Sequence, residues 1–269
     1  MALTANLYIE TALRNEKTIL KKSFCSAPFK IADITEDKSQ NNLRIMLMSS
    51  SPGILDGDEY KLEIDVTDGS CLELQTQSYQ RLFQMKQGAR QFFNVHIRQG
   101  SSLVYIPHPI VPHENSIFLS KNKIVMDETS SLIWGEIMSC GRKVGGEVFK
   151  FSCYQSTTEI FFREKLVVKE NIRMKPAETD LKAIGQLEGY THQASLIFID
   201  NVKDIKNKKE AIISLLQQQE HVEFGVSDLP INGMIVRLLG YKAEQLFDLL
   251  QNISCILSQT KTKEESHVF

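Results

Sequence analysis

The sequence predicts a mainly β protein: a layered, β-helix-like body of stacked strands, with two α-helices from the C-terminal half packed on it. Three observations carry that prediction. Three segments overlay without a gap: Ile64-Asp-Val-Thr-Asp-Gly-Ser-Cys-Leu-Glu-Leu74, Val95-His-Ile-Arg-Gln-Gly-Ser-Ser-Leu-Val-Tyr105 and Ile124-Val-Met-Asp-Glu-Thr-Ser-Ser-Leu-Ile-Trp134. Elsewhere before Asp200, β-branched and aromatic residues concentrate in short runs. After Asp200 the apolar residues recur instead at intervals of three and four.

Each repeated unit reads as a strand ending in an apolar-x-apolar pair and a tight polar turn centred on Gly69, Gly100 or Thr129. A second strand then opens on Leu72, Leu103 or Leu132. The units recur about every thirty residues, a spacing typical of stacked supersecondary units. One such layer cannot bury its apolar face alone, so neighbours laid on it produce a continuous core. Further strands are expected at residues 44–48, 148–151, 159–168 and 194–199. Ile205, Ile212, Leu215 and Leu216, in a Lys- and Gln-rich stretch free of Gly and Pro, predict an amphipathic helix. Strands at 222–226 and 234–239 then flank a Pro230 to Gly233 turn. Ala243, Leu246, Phe247, Leu250, Ile253 and Leu257 line one face of a second helix. No Pro-, Ser- or Gly-rich linker precedes the helices, so the expectation is a single domain over residues 1–269. Its β body runs to about 200, a helix-containing part covers 201–260, and a loose polar tail covers 261–269.

Hydrophobic residues make up 42% of the 269, ample for a core. Lys+Arg 31 against Asp+Glu 33 leaves a formal charge of -2, and that balance provides no basic field to draw nucleic acid. Met1 to Glu10 has neither a basic start nor an unbroken apolar run, and no later run is long enough for a bilayer. A cytoplasmic protein without a membrane span is expected. The five cysteines are scattered and include no Cys-x-x-Cys pair, which predicts buried thiols rather than disulfides or a zinc site.

Catalytic motifs are missing from the sequence. It has no Gly-x-Ser-x-Gly elbow, phosphate-cradling loop, dinucleotide fingerprint or His-Glu-x-x-His. His108 and His113 flank a Pro-rich stretch, but an offset of five puts them on opposite faces of an extended strand, so no metal pair is expected. His192 reads as a structural histidine. Asp56 and Asp58 flank a glycine. Glu136 is the unusual carboxylate, because it sits within the apolar Leu132-Ile-Trp-Gly-Glu-Ile137. An unpaired buried carboxylate is costly, and a salt bridge to Arg142 or Lys143 is the simplest expectation.

Several of these segments, taken in order, resemble the urease accessory proteins UreD and UreH. They are Ser51-Pro-Gly53 with Gly57-Asp58, Pro107-x-Pro109-x-x-Pro112, Leu132 to Ile137 with Gly141-Arg142, and Gly146-Glu-Val-Phe149. Gly189-Tyr-Thr-His192 extends the likeness to the UreH branch. The chain departs from the usual pattern in two places: Ile54, Leu55 and Asp56 replace a fuller glycine run, and Gln80-Arg-Leu-Phe83 replaces Thr-Lys-x-Tyr, keeping only the basic charge at Arg81. The resemblance implies a non-enzymatic scaffold that binds apo-urease and a UreF-type partner, which recruits a UreG-type GTPase. It also implies two copies held together by a dimeric UreF-type partner. Nickel would be in transit rather than stably bound, passing isolated carboxylates at Asp58, Glu136 and Glu170. Isolated oxygen ligands suit passage because imidazole and thiolate clusters hold nickel tightly. Two other classes remain open, a β-helical polysaccharide-acting enzyme and a β-rich interaction module unrelated to metal.

Overall fold

The computed structural model describes residues 3–200 and 205–258, so the tail expected at 261–269 lies outside the described residues. The chain opens with β1 (Thr4–Arg14), β2 (Lys17–Cys25), β3 (Phe29–Asp33) and β4 (Leu43–Ser49). The next strands are β5 (Glu59–Val66), β6 (Cys71–Thr76), β7 (Gln80–Leu82), β8 (Ala89–Ile97), β9 (Ser102–Tyr105) and β10 (Ile110–Pro112). β11 (Ile117–Met126) and β12 (Ser131–Ser139) lead to β13 (Cys153–Phe162), β14 (Lys165–Met174) and β15 (His192–Asp200). Then come α1 (Lys206–Gln217), β16 (Glu223–Asp228), β17 (Gly233–Gly240) and α2 (Ala243–Ser258). The protein is mainly β with two helices, as expected, and its described strands form two sheets without closing a barrel.

The first sheet has the order β14-β13-β11-β8-β5-β1-β2, and the second β16-β17-β15-β12-β9-β6-β4-β3, with β10 beside β12 and β7 beside β10. Each repeated unit spends its first strand in one sheet and its second in the other. The residues aligned in sequence are also partners in space: Ile64, Val95 and Ile124 are in register across the first sheet, and Leu72, Leu103 and Leu132 across the second. The turns stack too, with Gly69 N–H donating to the Gln99 carbonyl at 2.9 Å and Gly100 N–H to Thr129 Oγ1 at 2.8 Å. Gly69 and Gly100 have φ of +69° and +65°, a region that glycine adopts without steric cost.

Alternation along the strands produces two cores. Leu7, Ile9, Leu62, Phe93, Leu74, Leu103 and Trp134 fill the space between the sheets. The other face of the second sheet, with Ile133, Ile137, Leu196, Phe198 and Val236, is covered by Ile212 and Leu216 of α1 and by Leu246, Leu250 and Ile253 of α2. β12 therefore buries both faces, which explains its nearly continuous apolar run. Glu136 shares the inter-sheet phase of Leu132, Trp134 and Met138.

Two expected strands need correction. Residues 148–151 form a loop, because Phe149 takes φ +54° and is tied down by its N–H donating to the Cys140 carbonyl at 2.8 Å. The run at 159–168 is a hairpin, β13 and β14, turned by Arg163 and Glu164 at φ +48° and +62°. That turn conformation normally selects Asn-Gly, and the Arg-Glu pair concealed it. No helix among the described residues is long and apolar enough to cross a membrane.

Candidate functional site

A cavity of about 270 Å³ runs into the space between the sheets. Its outer lining includes the exposed Gln77, Ser78 and Arg81, and its inner lining includes Tyr105, Asn122, Trp134 and Glu136. Glu136 is partly accessible because it faces this cavity. Its Oε1 accepts from Asn122 Nδ2 (2.7 Å), Thr158 Oγ1 (2.9 Å), Ser156 Oγ (3.1 Å) and, more weakly, Trp134 Nε1 (3.4 Å). Among the described residues its Oε2 takes only Ser156 Oγ, at 3.0 Å, whose one proton it shares with Oε1.

The expected salt bridge from Glu136 to Arg142 or Lys143 is not formed. Arg142 pairs with Glu147, while Lys143 Nζ donates to the Tyr241 carbonyl at 3.2 Å. The reason is strand direction: Glu136 points between the sheets, whereas Arg142 and Lys143 lie beyond the end of β12. Among the described residues no lysine or arginine pairs with Glu136. Burial pushes its pKa up and the charge of Glu170 adds to the rise, while the bonds from Thr158, Ser156 and Trp134 oppose it. Burial likewise raises Tyr105 and Tyr154, each also facing the Glu136 charge.

The other two candidate carboxylates are placed differently. Asp58 is 3% exposed, and both its oxygens are engaged by backbone: Leu3 N–H donates to Oδ1 at 3.1 Å and Leu55 N–H to Oδ2 at 2.9 Å. It sits below Tyr60, whose hydroxyl lines the cavity wall, is buried, and has no hydrogen-bond partner among the described residues. Asp58 and Ser51 are near enough to perturb that hydroxyl without a bond of normal geometry, and burial, with the Asp58 charge, pushes it up to about 12. Glu170 lies on β14 opposite Thr158, accepts Ser195 Oγ at 3.3 Å and pairs with Arg237 Nε at 3.1 Å. Ser195 in turn sits opposite Glu136. The fold thus links Glu136 to Glu170 through Thr158 and Ser195 and keeps Asp58 apart, outside the cavity lining and next to Tyr60.

Sequence reasoning missed Asn122, Ser156, Thr158, Ser195 and Tyr60. Their signal was present: Phe118, Ser120, Asn122 and Ile124 share one phase of β11, and Tyr154, Ser156, Thr158 and Ile160 one phase of β13, so polar residues interrupt the buried phase. His108 lines the cavity, stacks on Phe247 at 4.5 Å and bonds Thr76 Oγ1 through Nδ1. His113 packs instead against Phe83, beside Arg142. His192 is buried with Nδ1 against Thr191 Oγ1 at 2.9 Å. Among the described residues no three His, Cys, Asp or Glu side chains cluster to hold a metal. The Gly141 to Phe149 segment is a built loop in which Glu147 also accepts Glu114 N–H at 3.2 Å.

Comparison with known proteins decides what this architecture is related to. A sequence model of the UreD urease accessory protein family matches residues 3–268. The chain belongs to the UreD urease accessory protein family. It is 47% identical over 248 residues to the urease accessory protein UreD of Flavobacterium johnsoniae, covering 92% of this chain and 90% of that protein. The UreD of Acetivibrio thermocellus is 35% identical over 255 residues, covering 94% of this chain and 97% of the relative. The UreD of Haemophilus influenzae is 35% identical over 268 residues, covering 95% and 99%. The motifs that signalled UreD in the sequence surround the cavity and its adjoining loops: Ser51 and Gly53, Pro107, Trp134 and Glu136 all line it.

Proposed function

We propose that this UreD-family chain is a cytoplasmic, non-catalytic assembly factor for the nickel centre of urease. It bridges apo-urease to a UreF-type protein, which recruits a UreG-type GTPase, and a dimeric UreF-type partner holds two copies together. Nickel, as cargo, passes through the interior of the layered, β-helix-like body. The observation that carries the conduit is Glu136, an interior carboxylate without a basic partner whose Oε2 keeps free acceptor capacity beside a cavity open to the surface. Single oxygen donors release a divalent ion that a histidine or thiolate cluster retains. Glu170 continues the polar line. Asp58 contributes by charge near Tyr60, since its own oxygens are committed to backbone N–H groups.

The test is urease made beside Glu136→Gln and Glu136→Ala variants, read as nickel per urease and as co-purification of the partners. Nickel falls while partner binding persists. Normal nickel content with both variants rejects the conduit.

A further inference from the structure

The geometry points to the Glu170–Arg237 ion pair as a latch that closes the far end of the interior polar seam. Two rows of side chains face each other across the sheets. On the first sheet, Phe93, Asn122, Thr158 and Glu170 occupy successive strands in register. On the second, Glu136, Ser195, Arg237 and Gly225 do the same. The rows touch at both ends: Asn122 and Thr158 donate to Glu136, and Ser195 and Arg237 donate to Glu170.

Among the described strands the two rows end just beyond that second contact. β14 is the last strand of the first sheet, so no side chain continues the row past Glu170. On the second sheet the next position is Gly225, and among the described residues no atom stands within 4 Å of where its Cβ would lie. The ion pair joins the last strand of the first sheet to the second-last strand of the second. Its two members face different media, the Arg237 side chain being 57% exposed and that of Glu170 12%. Glu170 is therefore held from outside by a cation while its negative charge acts inward on Glu136.

A pair with one solvated member is weak, which suits a closure that must open. Swinging the exposed guanidinium out into solvent frees Glu170 and opens the seam between β14 and β17. As a closure the latch stands on the register alone; as a control on metal passage it rests on the conduit proposed above.

The test uses full-length protein carrying Ser195→Cys, which places a thiol just behind the latch. It is labelled with a small cationic methanethiosulfonate reagent, and the background of the five native cysteines is subtracted. With Arg237 in place the rate is slow. Arg237→Gln accelerates it about two- to fivefold, the population change expected for losing one weak ion pair, and Arg237→Lys keeps it slow. If Arg237→Gln does not fold, Glu170→Gln opens the same latch from the other partner. Rates within twofold of the parent in both variants overturn the latch, even where Glu136→Gln depletes urease of nickel. Faster labelling with normal nickel in Glu136→Gln removes the conduit and leaves the latch. Faster labelling with reduced urease nickel at limiting supply, restored by excess nickel, supports its control of passage.

Discussion

Replacing Glu136 by Gln should make the protein more stable, even where the proposed function requires it to load urease less well. The carboxylate has no cation beside it, so its desolvation, worth about 4–5 kcal/mol, is offset only by neutral donors. Asn122, Ser156 and Thr158 donate at 2.7–3.1 Å. Turning their acceptor from a carboxylate into an amide weakens each bond by about 1 kcal/mol. One N–H of the amide that replaces Oε2 finds an acceptor in Ser156 Oγ and the other faces the cavity. The balance is a gain of about 1–2 kcal/mol, or about 2–8 °C in melting temperature for a chain of this size. The sign also depends on pH. A folded-state pKa raised above the unfolded value means that the folded protein holds the extra proton, so wild-type stability falls as pH rises from 4.5 through the folded pKa. Gln lacks that slope. Thermal melts of both proteins between pH 4.5 and 8 should therefore converge at the acid end and separate toward neutrality. A variant that melts below wild type at pH 8, or a gap that narrows with rising pH, would refute an uncompensated buried carboxylate.

Other substitutions check the rest of the framework. Asp58→Asn should lose about 1–3 kcal/mol, because an amide NH₂ would face the Leu3 or Leu55 N–H; a urea midpoint no lower than wild type would contradict that structural role. His192 is pushed down from 6.5 to about 4 by burial, with the Lys143 charge adding to the fall. The unfolded chain takes up that proton first, so stability falls as pH drops from 6.5 toward 4, by about 3 kcal/mol at most. His192→Gln should flatten this acid limb in urea titrations at pH 7 and 4.5, and an unchanged limb would assign it elsewhere. Gly53→Ala should lower the melting temperature by several degrees, at about 1–3 kcal/mol, because its Cβ would overlap the Arg81 carbonyl and lie 2.8 Å from the Phe83 ring. A neutral effect would mean that this part of the cavity wall yields.

The repeat was legible because it is written in local chemistry. A glycine or threonine turn, a buried serine after it and a leucine opening the next strand recur wherever the same stacked turn is made, so aligning letters aligned the strands. Both helices were legible from their spacing. The Arg163-Glu164 hairpin was not, since a two-residue turn without Asn or Gly carries no compositional mark. Glu136 was recognisable as an anomaly within an apolar strand, but its partner was misassigned to the nearest basic residues along the chain.

Sequence by itself determined the mainly β class, the register of the stacked units and, through its motifs, the family, because each depends on residue type and short-range order; the three carboxylates followed from the family resemblance. Tertiary structure decided what those carboxylates contact. Alternation tells which phase of a strand a residue occupies and not which strand of the other sheet it will face. Glu136 meets Thr158, and Glu170 meets Ser195 and Arg237, across separations of 22, 25 and 67 residues. Only the packing of the two sheets brought Glu136 and Glu170 into one seam and left Asp58 apart, capping backbone N–H groups.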